Sequence, residues 1–169
     1  MGTQRLDFEE FYYRSRDGCF RAVLVIVGDH DAAQELVAEA FARAYASWRT
    51  VSRHPAPAAW VVRTALNTNV SWWRRRRQEV LVADPGVIAD LPGAEGADGA
   101  FDPRIKAALM RLPARQRQVV ALRLLLDMDT RRTADALGIS PNTVMAHMGQ
   151  ALAALRHDLI PEREQETRS

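Results

Sequence analysis

The spacing of apolar residues limits the fold of this chain more than any other feature. Four apolar patterns have helical period, and none alternates with polar residues as a half-buried strand would. The segment 31–48 shows the pattern best, because its apolar residues form one broad helical face. They are Leu36, Val37, Ala40, Phe41, Ala44, Tyr45 and Trp48. The sequence therefore predicts an all-α fold.

Residues that favour the beginning or the end of a helix divide the first half of the chain into three predicted helices. The first is predicted over 8–27 and ends at Gly28. Asp31, with Gln34 three residues later, is a candidate N-cap for the second. The segment 49–58 is predicted to be a loop, and Pro57 suits the first turn of a third helix that continues through Trp73.

Charge divides the chain into two basic modules around an acidic strip. Residues 84–102 contain five acidic side chains, no basic ones and several glycines and prolines. Such a strip has little apolar surface with which to offset ordering entropy, so we expect a flexible linker. The predicted organisation is two small helical domains, 1–83 and 103–160, joined by the linker 84–102 and followed by a tail at 161–169.

The second module has the signature of a helix-turn-helix. Asp102 can cap a first helix that has Pro103 in its first turn, and Pro113 begins a second one. The spacing of Ala134, Gly138 and Val144 then provides a close helix crossing, a left-handed turn and a residue that locks the last helix in place.

The first module becomes strongly cationic along its length. Residues 1–39 hold eight acids and four arginines, whereas residues 40–78 hold eight arginines and no acid. The cationic part includes four tryptophans and the run Ser71-Trp-Trp-Arg-Arg-Arg-Arg77. Guanidinium groups neutralise phosphates and indole rings stack on unpaired bases, so the pattern favours a polyanionic partner. The alternative is a solvated arginine face above tryptophans that belong to the core.

In the second module the candidate DNA contacts lie on the last helix of the helix-turn-helix. Such a helix places its N-terminal residues against base edges in the major groove. The candidates are Ser140, Asn142, Thr143, His147 and Gln150, with Arg131 among the nearby cations. The helix itself has no basic residue from Pro141 to Leu155, which predicts weak affinity.

Residues that could carry catalysis are scarce. The histidines have no metal-ligand spacing with one another or with Cys19, and there is no glycine-rich phosphate loop or nucleophile turn. We therefore expect no enzymatic activity, no metal and no cofactor. With one cysteine, no signal peptide and no apolar run of membrane length, the chain is expected to be soluble and cytoplasmic.

Four segments together resemble the extracytoplasmic-function type of bacterial sigma factor. The segment 28–45 resembles the region 2.2 helix that binds the polymerase clamp, and 60–77 resembles the regions that melt and read the −10 element, especially in an actinobacterial SigE-like subgroup. The segments 112–123 and 134–144 resemble region 4, which reads the −35 element. The resemblance covers roughly residues 6–157, and its two halves occur in the expected order.

The resemblance implies roles for individual residues. The polymerase clamp would be faced by Glu35, Leu36, Glu39 and Phe41, and the loop 49–58 would hold a flipped base. DNA contacts of the first module would come from Trp60, Arg63, Asn67, Asn69, Trp73, Arg74, Arg75, Arg76 and Arg77. The implied partners are RNA polymerase core, through its clamp and flap, promoter DNA and an anti-sigma factor.

The recognition helix departs from this family pattern and leaves rival readings open. Met145, His147 and Gln150 stand where the family usually has basic residues, which predicts weak or altered reading of the −35 element. The segment 140–148 also resembles the recognition helix of LuxR-type regulators, which bind duplex DNA autonomously. A third hypothesis is a non-DNA adaptor that binds a partner through the face of 31–48.

Overall fold

The computed structural model describes residues 2–68 and 101–160, with side chains from Asp7 onward, and all regular elements in these ranges are helical. The prediction of an all-α fold is thus confirmed. The first set comprises α1 (Gly2–Val27), α2 (His30–Ala46), the short α3 (Trp48–Val51) and α4, which is described over 57–68. The second set comprises α5 (Pro103–Arg111), α6 (Ala114–Val120) with a π-helical segment (Ala121–Leu125), α7 (Thr130–Leu137) and α8 (Pro141–Leu159).

Most predicted helix starts are confirmed, but two are corrected: α1 begins at Gly2 rather than at residue 8, and the cap of α2 differs. Asp102 accepts a hydrogen bond from the amide of Arg104, and Ser140 caps α8. In α2 the cap is Asp29 rather than Asp31, because the extended backbone of Asp29 lets its carboxylate accept from the amide of Ala32 at 2.8 Å.

The predicted loop 49–58 is shorter than expected at both ends. Residues 48–51 form the single turn α3, and α4 already begins at Pro57. Only 52–56 lie outside helices. Local sequence could not reveal α3, because its start depends on the burial of Trp48, which is 8% exposed.

Aromatic packing joins α1 to α2 and α3. The ring of Phe11 lies 5.8 Å from that of Phe41 and 5.0 Å from that of Trp48, and Phe8 meets Trp48 edge-on at 5.3 Å. These separations are typical of favourable aromatic pairs. Trp48 is therefore a core residue. This agrees with the alternative interpretation, in which the tryptophans belong to the core.

The helix-turn-helix has the predicted geometry. Val119, Ala134 and Val144 form a small buried cluster, and Gly138 ends α7 in the left-handed conformation at φ 65°. The amide of Ile139 then donates to the carbonyl of Ala134 at 3.1 Å, which closes the turn.

The two helical sets pack against each other and share one buried core. Residues of α1 such as Val23 and Leu24 belong to the same apolar cluster as Leu122 and Ala151 of the second set. Phe101, which falls in the predicted linker, also packs against this cluster. The rest of that linker, residues 84–100, lies outside the described residues.

Two glycines of the first set lie at its contact with the second set. A Cβ atom at Gly18 of α1 would lie 3.4 Å from both the carbonyl oxygen of Leu125 and a methyl carbon of Leu126. At Gly28, which has φ 81°, a Cβ atom would lie 2.9 Å from the sulfur of Met110. The distances at Gly18 are ordinary van der Waals contacts, whereas the positive φ of Gly28 favours glycine at that position.

Candidate nucleic-acid interface

One side of α4 carries the first group of predicted DNA contacts. Trp60, Arg63 and Asn67 follow one another at helical spacing, and Arg63 and Asn67 are exposed while Trp60 is half-buried. Within the described part of the chain, no ion pair engages Arg63, so its guanidinium is available to an anion. We call this side, formed by Trp60, Arg63 and Asn67, the α4 face.

An open groove continues the α4 face toward the end of α2. It is lined by Arg43, Ala46, Ser47, Trp60, Thr64 and Asn67. An indole, polar groups and Arg43, which pairs with Glu39, thus lie along one groove. This combination suits a single strand, because stacking and phosphate neutralisation can act side by side.

A separate cavity of about 240 Å³ lies on the other side of Trp60. The segment 52–56 forms part of its wall, and there the amide of Ala56 donates to Nδ1 of His54 at 3.0 Å. Three residues of α7 form the opposite wall, so this cavity lies between the two helical sets. The lining residues are His54, Pro55, Ala56, Ala59, Trp60, Arg63, Arg132, Asp135 and Ala136.

The sequence analysis did not predict that Arg132 and Asp135 lie near the α4 face. Their separation from it in the chain hides the contact, which arises only from the packing of the two sets. The remaining predicted contacts of the first module lie outside the described residues. These are Asn69, Trp73, Arg74, Arg75, Arg76 and Arg77.

Some of the predicted DNA-contacting side chains at and near α8 are exposed, and others form hydrogen bonds within the chain. Asn142 is exposed, as is Arg131 near the start of α7. The hydroxyl of Ser140 accepts from the amide of Thr143 at 3.1 Å, and the two hydroxyls are 2.8 Å apart. Both hydroxyls therefore take part in the helix cap.

Of two further candidates on α8, His147 is partly withdrawn from solvent, and Gln150 is exposed but hydrogen-bonded within the chain. His147 is half-buried, and its Nδ1 atom is buried without a hydrogen-bond partner. The side chain of Gln150 accepts a hydrogen bond from Gln116 of α6 at 3.2 Å. The most exposed large apolar side chain on this helix is instead Met145, at 65%.

The predicted polymerase-binding residues of α2 also divide into two groups. Glu35 and Glu39 are exposed, and Glu39 pairs with Arg43 one turn later. Leu36 and Phe41 are only 6% and 3% exposed, so their contact with a partner stays a prediction and would involve a small exposed area. Their apolar side chains complete the core beneath the acidic surface.

Two further observations limit the chemistry of the described residues. No three histidine, cysteine, aspartate or glutamate side chains within 7–68 and 101–160 gather as a metal-binding group. Burial raises the pKa of the Cys19 thiol to about 12, and its sulfur donates to the carbonyl of Ala58 at 3.7 Å. This thiol therefore stays protonated at neutral pH.

Family models match both helical sets. The model described as Sigma-70 region 2 matches residues 13–79, and the one described as Sigma-70, region 4 matches residues 103–155. The first match includes α4 and most of α1, and the second ends within α8. Matches to both regions, in this order, favour neither the LuxR-type hypothesis nor the non-DNA adaptor.

Known proteins are similar over most of the chain. The RNA polymerase sigma-E factor of Streptomyces coelicolor is 35% identical over 157 residues, which cover 92% of this chain and 87% of that protein. The sigma factor SigV of Bacillus subtilis is 25% identical over 143 residues, or 85% of each chain.

Solved structures show the same fold at lower identity. The sigma factor RpoE from Bartonella quintana, solved with the anti-sigma factor NepR, has a TM-score of 0.76 at 22% identity and covers 92% of this chain and 98% of that one. CnrH, solved with the cytosolic domain of CnrY, has a TM-score of 0.62 at 19% identity, covering 98% and 91%. The chain therefore belongs to the sigma-70 family of RNA polymerase sigma factors, and to its extracytoplasmic-function type.

Proposed function

We propose that this sigma factor carries core RNA polymerase to selected promoters and opens them, without catalysis of its own. The observation that carries the proposal is the α4 face, where an indole, an unpaired guanidinium and a polar amide share one side of a helix in the region 2 match. Unpaired bases are captured by this combination of stacking surface and cation. The helix-turn-helix in the region 4 match supplies the second DNA contact.

On the first helical set the α4 face would bind the melted strand of the −10 element. Trp60 would stack on a base and Arg63 would neutralise a nearby phosphate. Asn69, Trp73 and the arginines 74–77 would extend this surface. We further infer that the exposed carboxylates of Glu35 and Glu39 bind the polymerase clamp, with Leu36 and Phe41 supporting their helix from beneath.

On the second set, α8 would read the −35 element with few strong contacts. Asn142 is exposed at the start of the helix and can bond an adenine edge, while Ser140 and Thr143 lie at the helix N-terminus, where a phosphate binds favourably. His147, Gln150 and Arg131 are the remaining proposed contacts. Helix α8 itself has no cation before Arg156, so we expect it to add specificity more than affinity.

Two partners beyond DNA belong to the same proposal. The polymerase core is required, because the chain has no chemistry of its own. An anti-sigma factor is proposed as well, since RpoE is solved with the anti-sigma factor NepR. The chain would act in the cytoplasm, and none of its helices within the described ranges is long and apolar enough to cross a membrane.

A transcription assay tests the proposal directly. Purified chain is mixed with core polymerase and fragmented genomic DNA, and the run-off products are sequenced. We expect products with common start sites that core polymerase alone does not make. Products identical to those of core polymerase alone would reject the proposed function.

A further inference from the structure

The amide of Gln150, one of the proposed DNA contacts of α8, is hydrogen-bonded to a residue of another helix. Nε2 of Gln116 on α6 donates to Oε1 of Gln150 at 3.2 Å, across thirty-four positions of the chain. No other hydrogen bond of the Gln150 side chain occurs within the part of the chain that the structure describes. Both hydrogens of the Gln150 Nε2 group are therefore available to a ligand.

The packing of α6 against α8 fixes the place of Gln116. Val119 lies three residues after Gln116, on the same side of α6, and shares a buried cluster with Val144 of α8. Gln116 itself is half-buried, whereas Gln150 is exposed. One member of the amide pair is thus held at the helix contact, and the other reaches solvent, where DNA would bind.

Gln150 lies on the same side of α8 as Asn142. Asn142, Ala146 and Gln150 follow one another at four-residue spacing, and all three are exposed. The proposed function places a base contact at Asn142, near the start of the helix. The same side of α8 continues from there to Gln150, and only the small side chain of Ala146 lies between them.

A glutamine amide can present two different chemistries to a base. Its oxygen accepts a hydrogen bond, and its nitrogen donates. In the major groove, guanine and thymine expose a carbonyl oxygen that accepts, whereas adenine and cytosine expose an amino group that donates. We call guanine and thymine the keto bases, and adenine and cytosine the amino bases. The preference of a glutamine between them depends on which end of its amide is turned to the DNA.

We propose that Gln116 is a positioning residue that makes Gln150 select a keto base in the −35 element. By holding Oε1 of Gln150 toward α6, Gln116 turns the Nε2 hydrogens toward the groove, where they donate to O6 of guanine or O4 of thymine. The amino group of adenine or cytosine would instead meet a second donor, and both donors would lose their partners. This inference rests on the proposed function, and it adds a base preference to one of its contacts.

The charge of α8 favours the detection of such a preference. The helix has no basic residue before Arg156. Phosphate contacts strengthen binding to every sequence, whereas contacts with base edges distinguish one sequence from another. A preference that Gln150 adds is therefore not masked by phosphate binding from the same helix.

Two substitutions of Gln116 reverse or retain the donor. Gln116→Glu replaces the donor by an acceptor, so Nε2 of Gln150 should turn toward α6 and Oε1 toward the groove. The preference should then move to the amino bases. Gln116→Lys keeps a donor to Oε1 of Gln150, so it should retain the preference for keto bases.

The measurement is the selection of DNA by the full chain in complex with core polymerase. The probe is a duplex library made from a promoter that the run-off assay identifies, with randomised base pairs at its −35 position. Sequencing of the bound duplexes gives the ratio of keto to amino bases at each randomised position. Because the ratio compares bases within one protein, a uniform change in affinity from an added charge cancels.

We expect the parent chain to favour keto bases at one position by roughly 2- to 10-fold, as the net contribution of a single hydrogen bond allows. Gln116→Glu should lower this ratio to one or reverse it, and Gln116→Lys should preserve it. Gln150→Ala should abolish the preference at that position. Adding Gln116→Glu to Gln150→Ala should change nothing further, because the two residues act through one contact.

Gln118→Glu is the matched control. Gln118 is half-buried on the same helix as Gln116, but its Oε1 accepts from the guanidinium of Arg115 at 3.1 Å. The substitution adds the same charge to α6 without touching the amide of Gln150. It should leave the ratio of keto to amino bases unchanged at every position.

The outcomes separate a failure of the positioning role from a failure of the proposed function. If Gln150→Ala alters no position, if the position that it alters favours amino bases in the parent chain, or if Gln116→Glu and Gln118→Glu give the same ratios, the positioning role is wrong. An equal effect of Gln116→Glu with and without Gln150 would mean that Gln116 contacts the base itself, which also overturns it. In all these cases the complex still selects promoters. If the parent chain directs core polymerase to no promoter, the proposed function fails and the base preference fails with it.

Discussion

Helices α4 and α8 both lie in regions that contact promoter DNA, yet they differ in chemistry and in access. The α4 face has an indole and an unpaired guanidinium, but α7 lies across a cavity from it. The start of α8 is open to solvent and has no cation before Arg156. Thus the surface that combines an indole with a cation faces α7 across a cavity, whereas the start of α8 is open but suited only to weak binding.

This difference explains why such a chain would depend on polymerase. Affinity for nucleic acid comes mainly from phosphate neutralisation, which α8 can supply only through its N-terminus. Selective contacts on α8 would therefore matter once polymerase has brought the DNA close. The α4 face would act at the same stage.

The largest expected effect concerns the α4 face. Trp60→Ala should reduce promoter opening roughly 5- to 150-fold, since stacking on one base contributes about 1–3 kcal/mol. Permanganate footprinting of complexes with core polymerase measures this effect. Tyr13→Ala removes an aromatic ring that is 65% exposed on α1 and should leave opening unchanged. Thymine reactivity that survives Trp60→Ala would assign this indole to packing alone.

Sequence reasoning was most successful where structure depends on local chemistry. Gly138 adopts the left-handed turn, and Asp102 and Ser140 cap their helices, because each feature follows from a side chain and its immediate neighbours. Helical periodicity likewise identified the apolar face of α2. Periodicity gives the side of α2 on which Phe41 lies, but it does not identify the helix that packs against that side.

Long-range packing decided what the sequence left open. Trp48 and Trp60 are indistinguishable in composition and charge context, but only Trp48 packs against Phe8 and Phe11 of α1. The position of α7 beside the α4 face depends on contacts between residues more than sixty positions apart. Such contacts leave no periodic or capping signal in the sequence.

Replacing either of two glycines by alanine should change the free energy of unfolding by a smaller amount, with opposite signs. Gly138 lies in the turn of the helix-turn-helix, and Gly149 lies on the surface of α8. Gly138→Ala should lower the free energy of unfolding by about 1–2 kcal/mol, because its φ of 65° strains any side chain. Gly149→Ala should raise it by up to about 1 kcal/mol, because this residue is helical. A Cβ at either position meets nothing within 4 Å, so clashes do not contribute.

Urea denaturation of the two variants and the parent chain measures both changes. Both variants replace glycine by alanine. A difference in the sign of the change in unfolding free energy therefore reports the backbone conformation at each position. Destabilisation by both variants would mean that Gly149 serves a packing role that the described contacts do not include.

The smallest expected effect tests whether the absence of cations limits α8. Met145→Arg places a guanidinium at a position that is 65% exposed, and it should raise affinity for promoter duplex a few-fold. The magnitude of the slope of log affinity against log salt should increase by about 1, as expected for one added phosphate contact.

His147→Arg is the comparison, because the buried Nδ1 of His147 indicates that this side chain is partly turned away from solvent. We expect it to increase the slope less than Met145→Arg. A slope that Met145→Arg leaves unchanged would show that this side of α8 does not approach phosphate, and the contrast with the α4 face would then be one of orientation rather than charge.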